Sequence, residues 1–338
     1  MSELDVEAQA ETRGQARLLE WVSARAFWLP KAGHRMEEYE DAYWPLTASD
    51  PTPAADIPSK QIQVARYAVA DGATETSFSR LWANILVRAF GTGGLVPDSE
   101  DTDGTRQGEG DLARRLHPLQ EAWQAALTGK SLPWYAEEKA QLGAFSALLG
   151  LTLWDGNTED GRRYRGVAIG DSCLFHVRDD ALISAFPLQR STDFNSRPAL
   201  LSSNPARNDE LAGLITARTG SWQPGDVFYL LTDALACWIL RRCEEARQQD
   251  EEGARQQGGK VDSPWPMLRR LTDQEDQEAF IRLVEEARAA ETMRNDDVTL
   301  LSIRVGRQAP ISSGPIRVTD GAEQRDMMSK THAEAGKV

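Results

Sequence analysis

The chain has 338 residues, 41% of them hydrophobic, and its 52 acidic against 38 basic residues leave a formal net charge of −14. That length allows one large domain or two ordinary ones with a sizeable core. The acidity argues against DNA and anionic membranes as partners, because phosphate contacts need clustered Lys and Arg. It leaves carboxylates available to hold cations. The three cysteines, Cys173, Cys237 and Cys243, contain no C-x-x-C pair, and their odd number speaks against a disulfide framework and for a reducing cytoplasm. The histidines His34, His117, His176 and His332 show no metal-binding spacing, so a zinc site of His and Cys is not expected. The start, MSELDVEAQAETRGQARLLEW, lacks the basic residues and apolar run of a signal peptide. No stretch reaches the roughly 18 apolar residues needed to span a bilayer. A soluble, cytoplasmic protein is expected.

In chain order, residues 1–20 read as a helical or flexible extension. Residues 62–70 (IQVARYAVA) form an apolar strand ending at Asp71-Gly72. Phe78, Leu81, Trp82, Ile85, Leu86 and Ala89 then recur at helical spacing. Pro97 to Gly110 is polar and acidic and reads as a surface loop. Residues 111–129 and 134–149 carry further helical patterns, the second running into LTLW at 151–154. Residues 164–170 read as a strand ending at Asp171. A hairpin follows, CLFHV and ALISAF joined by Arg178-Asp179-Asp180. Residues 226–232 form a strand ending at Asp233, with a helix from Ala234 to about Glu245. Glu244 to Asp262 is charged and Gln-rich, its first part able to extend that helix. Residues 273–291 read as one helix. Residues 298–305 (VTLLSIRV) alternate as a strand, with Thr299, Leu301, Ile303 and Val305 on one face. Residues 307–338 read as a disordered tail. Strands mixed with long helices indicate an α+β fold with antiparallel sheet. The loops near 97–110 and 244–262 lie inside one domain, 21–306, because the acidic motifs stand on both sides of them.

One pattern recurs: an apolar strand stops, and an aspartate stands at the stop. It occurs at Asp71, Asp171 and Asp233, and in reverse at Asp296-Asp297, just before VTLLSIRV. A single such aspartate is an ordinary turn or cap residue. In an antiparallel sheet, however, the start of one strand lies beside the end of its neighbour, so four can gather at one edge. Clustered carboxylates repel, and a divalent cation removes the repulsion. With oxygen ligands and no His or Cys, the metal is a hard one: Mg²⁺, Mn²⁺ or Ca²⁺. Two such ions about 3.5–4 Å apart lower the pKa of a shared water and aim it at phosphorus.

The ordered set Glu40-Asp41-Ala42, Ala70-Asp71-Gly72, Gly170-Asp171-Ser172, Leu231-Thr232-Asp233 and Asn295-Asp296-Asp297-Val298-Thr299 resembles the PP2C (PPM-type) serine/threonine protein phosphatases, in a divergent, bacterial-like form. The resemblance spans roughly residues 22–306. It implies an αββα four-layer sandwich, two antiparallel sheets flanked by helices, and direct attack of a bridging water on phosphoserine or phosphothreonine. It also implies two Mn²⁺ or Mg²⁺ ions, with a third at a weaker site. By the same resemblance Asp71 bridges both ions, Gly72 lends a backbone carbonyl, and Asp233 and Asp296 hold the second ion. Glu40 joins directly or through water, Asp41 orients the water, and Asp171 serves the third metal. The implied partner is a phosphorylated protein, the product of a Ser/Thr kinase, and the implied state is a monomer.

Four departures stand out. After Asp71-Gly72 comes Ala73-Thr74-Glu75-Thr76, without the family's Gly-Gly or its histidine; Thr74 or Thr76 is read as a helix cap. Ala234 replaces the glycine after Asp233. Cys173 follows the Gly-Asp-Ser motif and reads as a small strand residue, not a nucleophile. The family's phosphate-binding arginine falls at Met36; Arg35, one residue earlier, is the candidate, with Arg25 second. Thr299 reads as a packing or hydrogen-bonding residue, and most of the ten tryptophans as core. A non-catalytic PP2C-like module that binds a phosphorylated partner is the alternative. A small-molecule phosphatase remains open, whereas no D-x-D-x-T/V motif of haloacid-type phosphatases follows a strand.

Overall fold

A computed structural model describes residues 21–45, 63–73, 78–95, 108–128, 140, 142–156, 161–195, 197–208, 213, 215–253, 263–274 and 276–306. The strands are β1 (Val22–Leu29), β2 (Ala42–Trp44), β3 (Gln63–Ala70), β4 (Phe145–Ser146), β5 (Leu148–Asp155), β6 (Arg163–Ile169), β7 (Cys173–Arg178), β8 (Ala181–Phe186), β9 (Leu201–Ser202), β10 (Thr216–Ser221), β11 (Val227–Leu231) and β12 (Val298–Val305). The helices are α1 (Ser79–Gly91), α2 (Gly108–Leu127), α3 (Asp233–Gly253), α4 (Pro264–Gln274) and α5 (Gln277–Ala289).

Two five-stranded sheets form, ordered β1-β12-β11-β7-β8 and β10-β6-β5-β3-β2, with every neighbouring pair antiparallel. Their central strands are apolar on both faces, which a period of two then sends to two different cores. Leu174, Phe228, Leu230, Leu301 and Ile303 of the first sheet meet Tyr67, Val69, Leu149, Leu151 and Leu153 of the second. The alternate residues Phe175, Tyr229, Leu231 and Leu300 pack outward against Leu235 and Ile239 of α3, Trp265 and Leu268 of α4, and Phe280 and Val284 of α5. On the other side Ala68, Ala70 and Leu148 face Trp82, Leu86 and Phe90 of α1 and Leu116 and Trp123 of α2. The result is four layers, αββα, as the motif resemblance implies. Helix α1 lies close to its sheet because Gly150 has no side chain: a Cβ there would come 2.2 Å from the Phe90 ring. Most of the tryptophans, including Trp21, Trp44, Trp82 and Trp238, are buried.

At the start of β11, Asp226 is fully buried. It accepts two hydrogen bonds from Arg178, Nε at 2.6 Å and Nη2 at 2.8 Å, and one from the Gln223 amide at 2.8 Å. His176 Nε2 lies 2.7 Å from the same carboxylate. Burial pushes the Asp226 pKa up, but the bonds from Arg178, His176 and Gln223 outweigh it and hold the pKa at about 2.

Two expected helices differ. The pattern at 134–149 ends in strand: Phe145–Ser146 is β4, and β5 begins at Leu148. Pairing with β3 and β6 on both sides overrides the helical spacing there. The expected helix 273–291 is α5, shortened at its start: the separate helix α4 runs on to Gln274, and Asp276 caps α5 by accepting the Ala279 amide at 2.8 Å. Helix α3 continues through Gly253, into the Gln-rich stretch. The expected loop 97–110 enters α2 at Gly108. Its earlier part, residues 254–262, the N-terminal extension and the tail lie outside the described residues. No described helix is long and apolar enough to cross a membrane.

Candidate metal centre

Strand register brings the acids to one rim. Ala42 pairs with Ala70, so Asp41 and Asp71, one residue beyond each, stand side by side. Leu231 pairs with both Cys173 and Leu300. Asp233, two residues on, therefore lies beside Asp171 and beside the Asp296-Asp297 entry to β12. Gly170 makes the turn before Asp171 at φ +102°, a left-handed conformation that favours glycine. Asp233 opens α3, where ordinary helical backbone suits Ala234.

A hydrogen-bonded chain joins the two sheets at this rim. The Thr299 hydroxyl donates to Asp41 Oδ2 at 2.7 Å. Its only proton is then used, so the Tyr39 hydroxyl donates to Thr299 Oγ1. Thr232 accepts the Thr299 amide at 2.9 Å and bonds Asp41 as well. Thr299 is thus a positioning residue for Asp41. Asp297 clamps the loop before β2: its two oxygens accept the Lys31 amide at 2.8 Å and the Glu40 amide at 2.7 Å. Glu40 in turn accepts the Ser79 hydroxyl at 2.6 Å and lies 3.9 Å from Lys31 Nζ.

The electrostatics are those of crowded acids. Burial, then Asp41, Asp296, Asp171 and Asp297, push the Asp71 pKa well up. Burial, with Asp297 and Asp296, does the same to Asp41 against the opposing bonds from Thr299 and Thr232. Burial also raises Asp171, while its own backbone and Arg294 draw it down. On the other side of the rim Arg294 Nη2 donates to Asp233 Oδ2.

Among the described residues, no three His, Cys, Asp or Glu side chains converge closely enough to form a ready-made ion cage. The donors still suit a hard cation. All are oxygens, and Asp41 Oδ1 and Asp233 Oδ1 are buried with no hydrogen-bond partner. Each such atom costs roughly 1–3 kcal/mol unless a proton or cation meets it.

Gly72 is buried against the Glu40 loop, where a Cβ would come 2.7 Å from the Glu40 carbonyl oxygen and 3.0 Å from Ser79 Cβ. Gly72→Ala should therefore destabilise the fold by about 1–3 kcal/mol. A urea midpoint unchanged from that of the parent chain would contradict this.

Arg35 is exposed, at the start of the short 3₁₀ turn Met36–Glu38, and among the described residues no ion pair ties it to the acids. Arg25 pairs with Ser302 in mid-strand, about 13 Å back from the rim end of β1 at roughly 3.3 Å per residue. Cys173 is buried, and burial pushes its thiol pKa up, so it is no nucleophile. Thr74 and Thr76 lie outside the described residues; α1 begins after Phe78, whose φ is +67°. Lys31, Tyr39 and Arg294 escape a reading of the motifs, whereas Asp297 stands in the last motif without an assigned role.

No family model matches the sequence, and no curated protein matches it. Several solved structures are similar to this chain at low identity. The photosystem II phosphatase PBCP is 14% identical, with 85% of this chain and 100% of that one covered at a TM-score of 0.45. The Mycobacterium tuberculosis serine/threonine phosphatase PstP is 16% identical, with 85% and 99% covered at 0.45. The PPM phosphatase MsPP from Mycobacterium smegmatis is 16% identical, with 84% and 98% covered at 0.43. Its own four layers, with the ordered acidic motifs gathered on one rim, give this chain the αββα architecture that the motif resemblance implies.

Proposed function

We propose that the chain is a metal-dependent phosphatase that hydrolyses phosphoserine and phosphothreonine on proteins. The observation that supports it most is the strand register, which lines Asp41, Asp71, Asp171, Asp233 and Asp296 along one rim, with two buried carboxylate oxygens left unpartnered. Asp71, the Gly72 carbonyl, Asp233 and Asp296 would hold two Mn²⁺ or Mg²⁺ ions. Glu40 would join them, and Asp171 would serve a third. Such ions, when bound, neutralise phosphate charge and lower the pKa of water. Asp41, fixed by Thr299 and Thr232, orients the attacking water through Oδ1, the oxygen left free. Arg35 reaches the phosphate from the exposed turn before Glu40. The substrate is the product of a Ser/Thr kinase, and the chain works as a cytoplasmic monomer.

The test is hydrolysis of p-nitrophenyl phosphate and a phosphothreonine peptide by the full chain. Turnover with Mn²⁺ that EDTA abolishes is expected; undiminished turnover after chelation would sink the reading. A second reading, a module that binds a phosphorylated partner without turnover, draws on one observation: Arg294 already neutralises Asp233. It requires a folded protein inert even at high Mn²⁺.

A further inference from the structure

Arg294 stands in the turn between α5 and β12, and its guanidinium meets Asp233, an acid otherwise assigned to a metal. The Arg294 side chain is 51% exposed, whereas the Asp233 side chain is 10% exposed. The turn itself is pinned. Asn295 Oδ1 accepts the Ala32 amide at 2.7 Å, Asp297 accepts the Lys31 and Glu40 amides, and the Asp296 carbonyl accepts Arg288 Nη2 at 2.5 Å. Arg294 can therefore leave by side-chain rotation alone, without unfolding its loop. Because it is paired with Asp233, it leaves only in exchange for another cation or at a cost in charge pairing. Asp171 feels the same guanidinium, so one arginine serves both acids on this side of the rim.

We propose that Arg294 is a tethered competitor for the divalent cation at Asp233: its guanidinium takes one carboxylate oxygen and must swing outward before an ion binds there. This rests on the metal-dependent reading above and adds a brake to it. The ion binds only the fraction of molecules in which the arginine is out, and apparent affinity falls by that fraction. For a charge-assisted bond of ordinary strength the reduction is on the order of ten- to a hundredfold.

Isothermal titration of Mn²⁺ into the metal-stripped full chain, with no substrate present, tests this. Arg294→Ala should tighten the weaker binding step by about ten- to a hundredfold, and Arg294→Lys by less, because Lys keeps the charge without the planar fork. Arg294→Gln serves as a second neutral variant, and circular dichroism checks that each is folded. Equal or weaker Mn²⁺ binding by both neutral variants overturns the proposal while leaving the metal-dependent reading intact. No Mn²⁺ binding by any of the proteins overturns both.

Discussion

Asp71→Ala is expected to lower Mn²⁺-dependent hydrolysis of p-nitrophenyl phosphate roughly a thousandfold or more. Asp71 is the acid around which the others gather: Asp41, Asp296, Asp171 and Asp297 all act on it. No neighbouring carboxylate shares its position at the end of β3. Its backbone is held independently, since the Asp71 carbonyl accepts the Ala147 amide at 2.8 Å and the Ser146 hydroxyl at 2.8 Å. The variant should therefore keep the rim in place and lose only the carboxylate. A second readout separates this from a merely structural role. Removing one of several crowded like charges should raise the urea midpoint of the metal-free protein in EDTA at neutral pH. Activity down with metal-free stability up is the expected pair. Retained activity would remove Asp71 from the mechanism, and a lowered midpoint would mark it as a structural residue.

Asp226→Ala is expected to cost about 3–5 kcal/mol of stability, because it leaves Arg178 and the buried His176 without their carboxylate. Asp226 stands at the end of β11 opposite Asp233, so the loss reports on the sandwich and not on the rim. The pH dependence has a definite sign. The folded pKa of about 2 lies below the usual unfolded value, about 3.9. The Asp226 contribution is thus fully present above pH 4 and is lost as pH falls through 4 towards 2, amounting to roughly 2 kcal/mol. Asp41, Asp71 and Asp171 have raised values and act in the opposite direction, so the stability difference between parent and variant isolates Asp226. Urea unfolding from pH 7 down to pH 3 should show that difference shrinking. A difference constant across this range would contradict the assignment.

The two buried clusters differ in how far they were legible. Each rim acid sits at a strand end that local apolar runs announce, so YAVA-Asp71, GVAIG-Asp171 and FYLLT-Asp233 could be recognised one at a time. Asp226 stands at the equally plain start of β11, but its side-chain partners Arg178 and His176 lie 48 and 50 residues away and no local pattern points to them. β1 was missed for a related reason. VSARAFWL becomes a strand by pairing with β12, across nearly the whole chain. β10, TARTGS, is polar and contains glycine, and only its place as an edge partner of β6 makes it a strand. The break between α4 and α5 was legible in principle, because Asp276 is a capping residue three positions before Ala279.

By itself the amino-acid order determined which segments are apolar enough to become central strands and helices, and which acids stand at their ends. These follow from side-chain period and turn chemistry, which act over a few residues. Tertiary structure alone decided that Thr299 and Thr232 fix Asp41, that Asp297 spends both oxygens clamping the Glu40 loop, and that Arg294 faces Asp233. Most of these contacts join residues separated by 61 to 266 positions. Register between strands sets them, and register is a property of the assembled sheets.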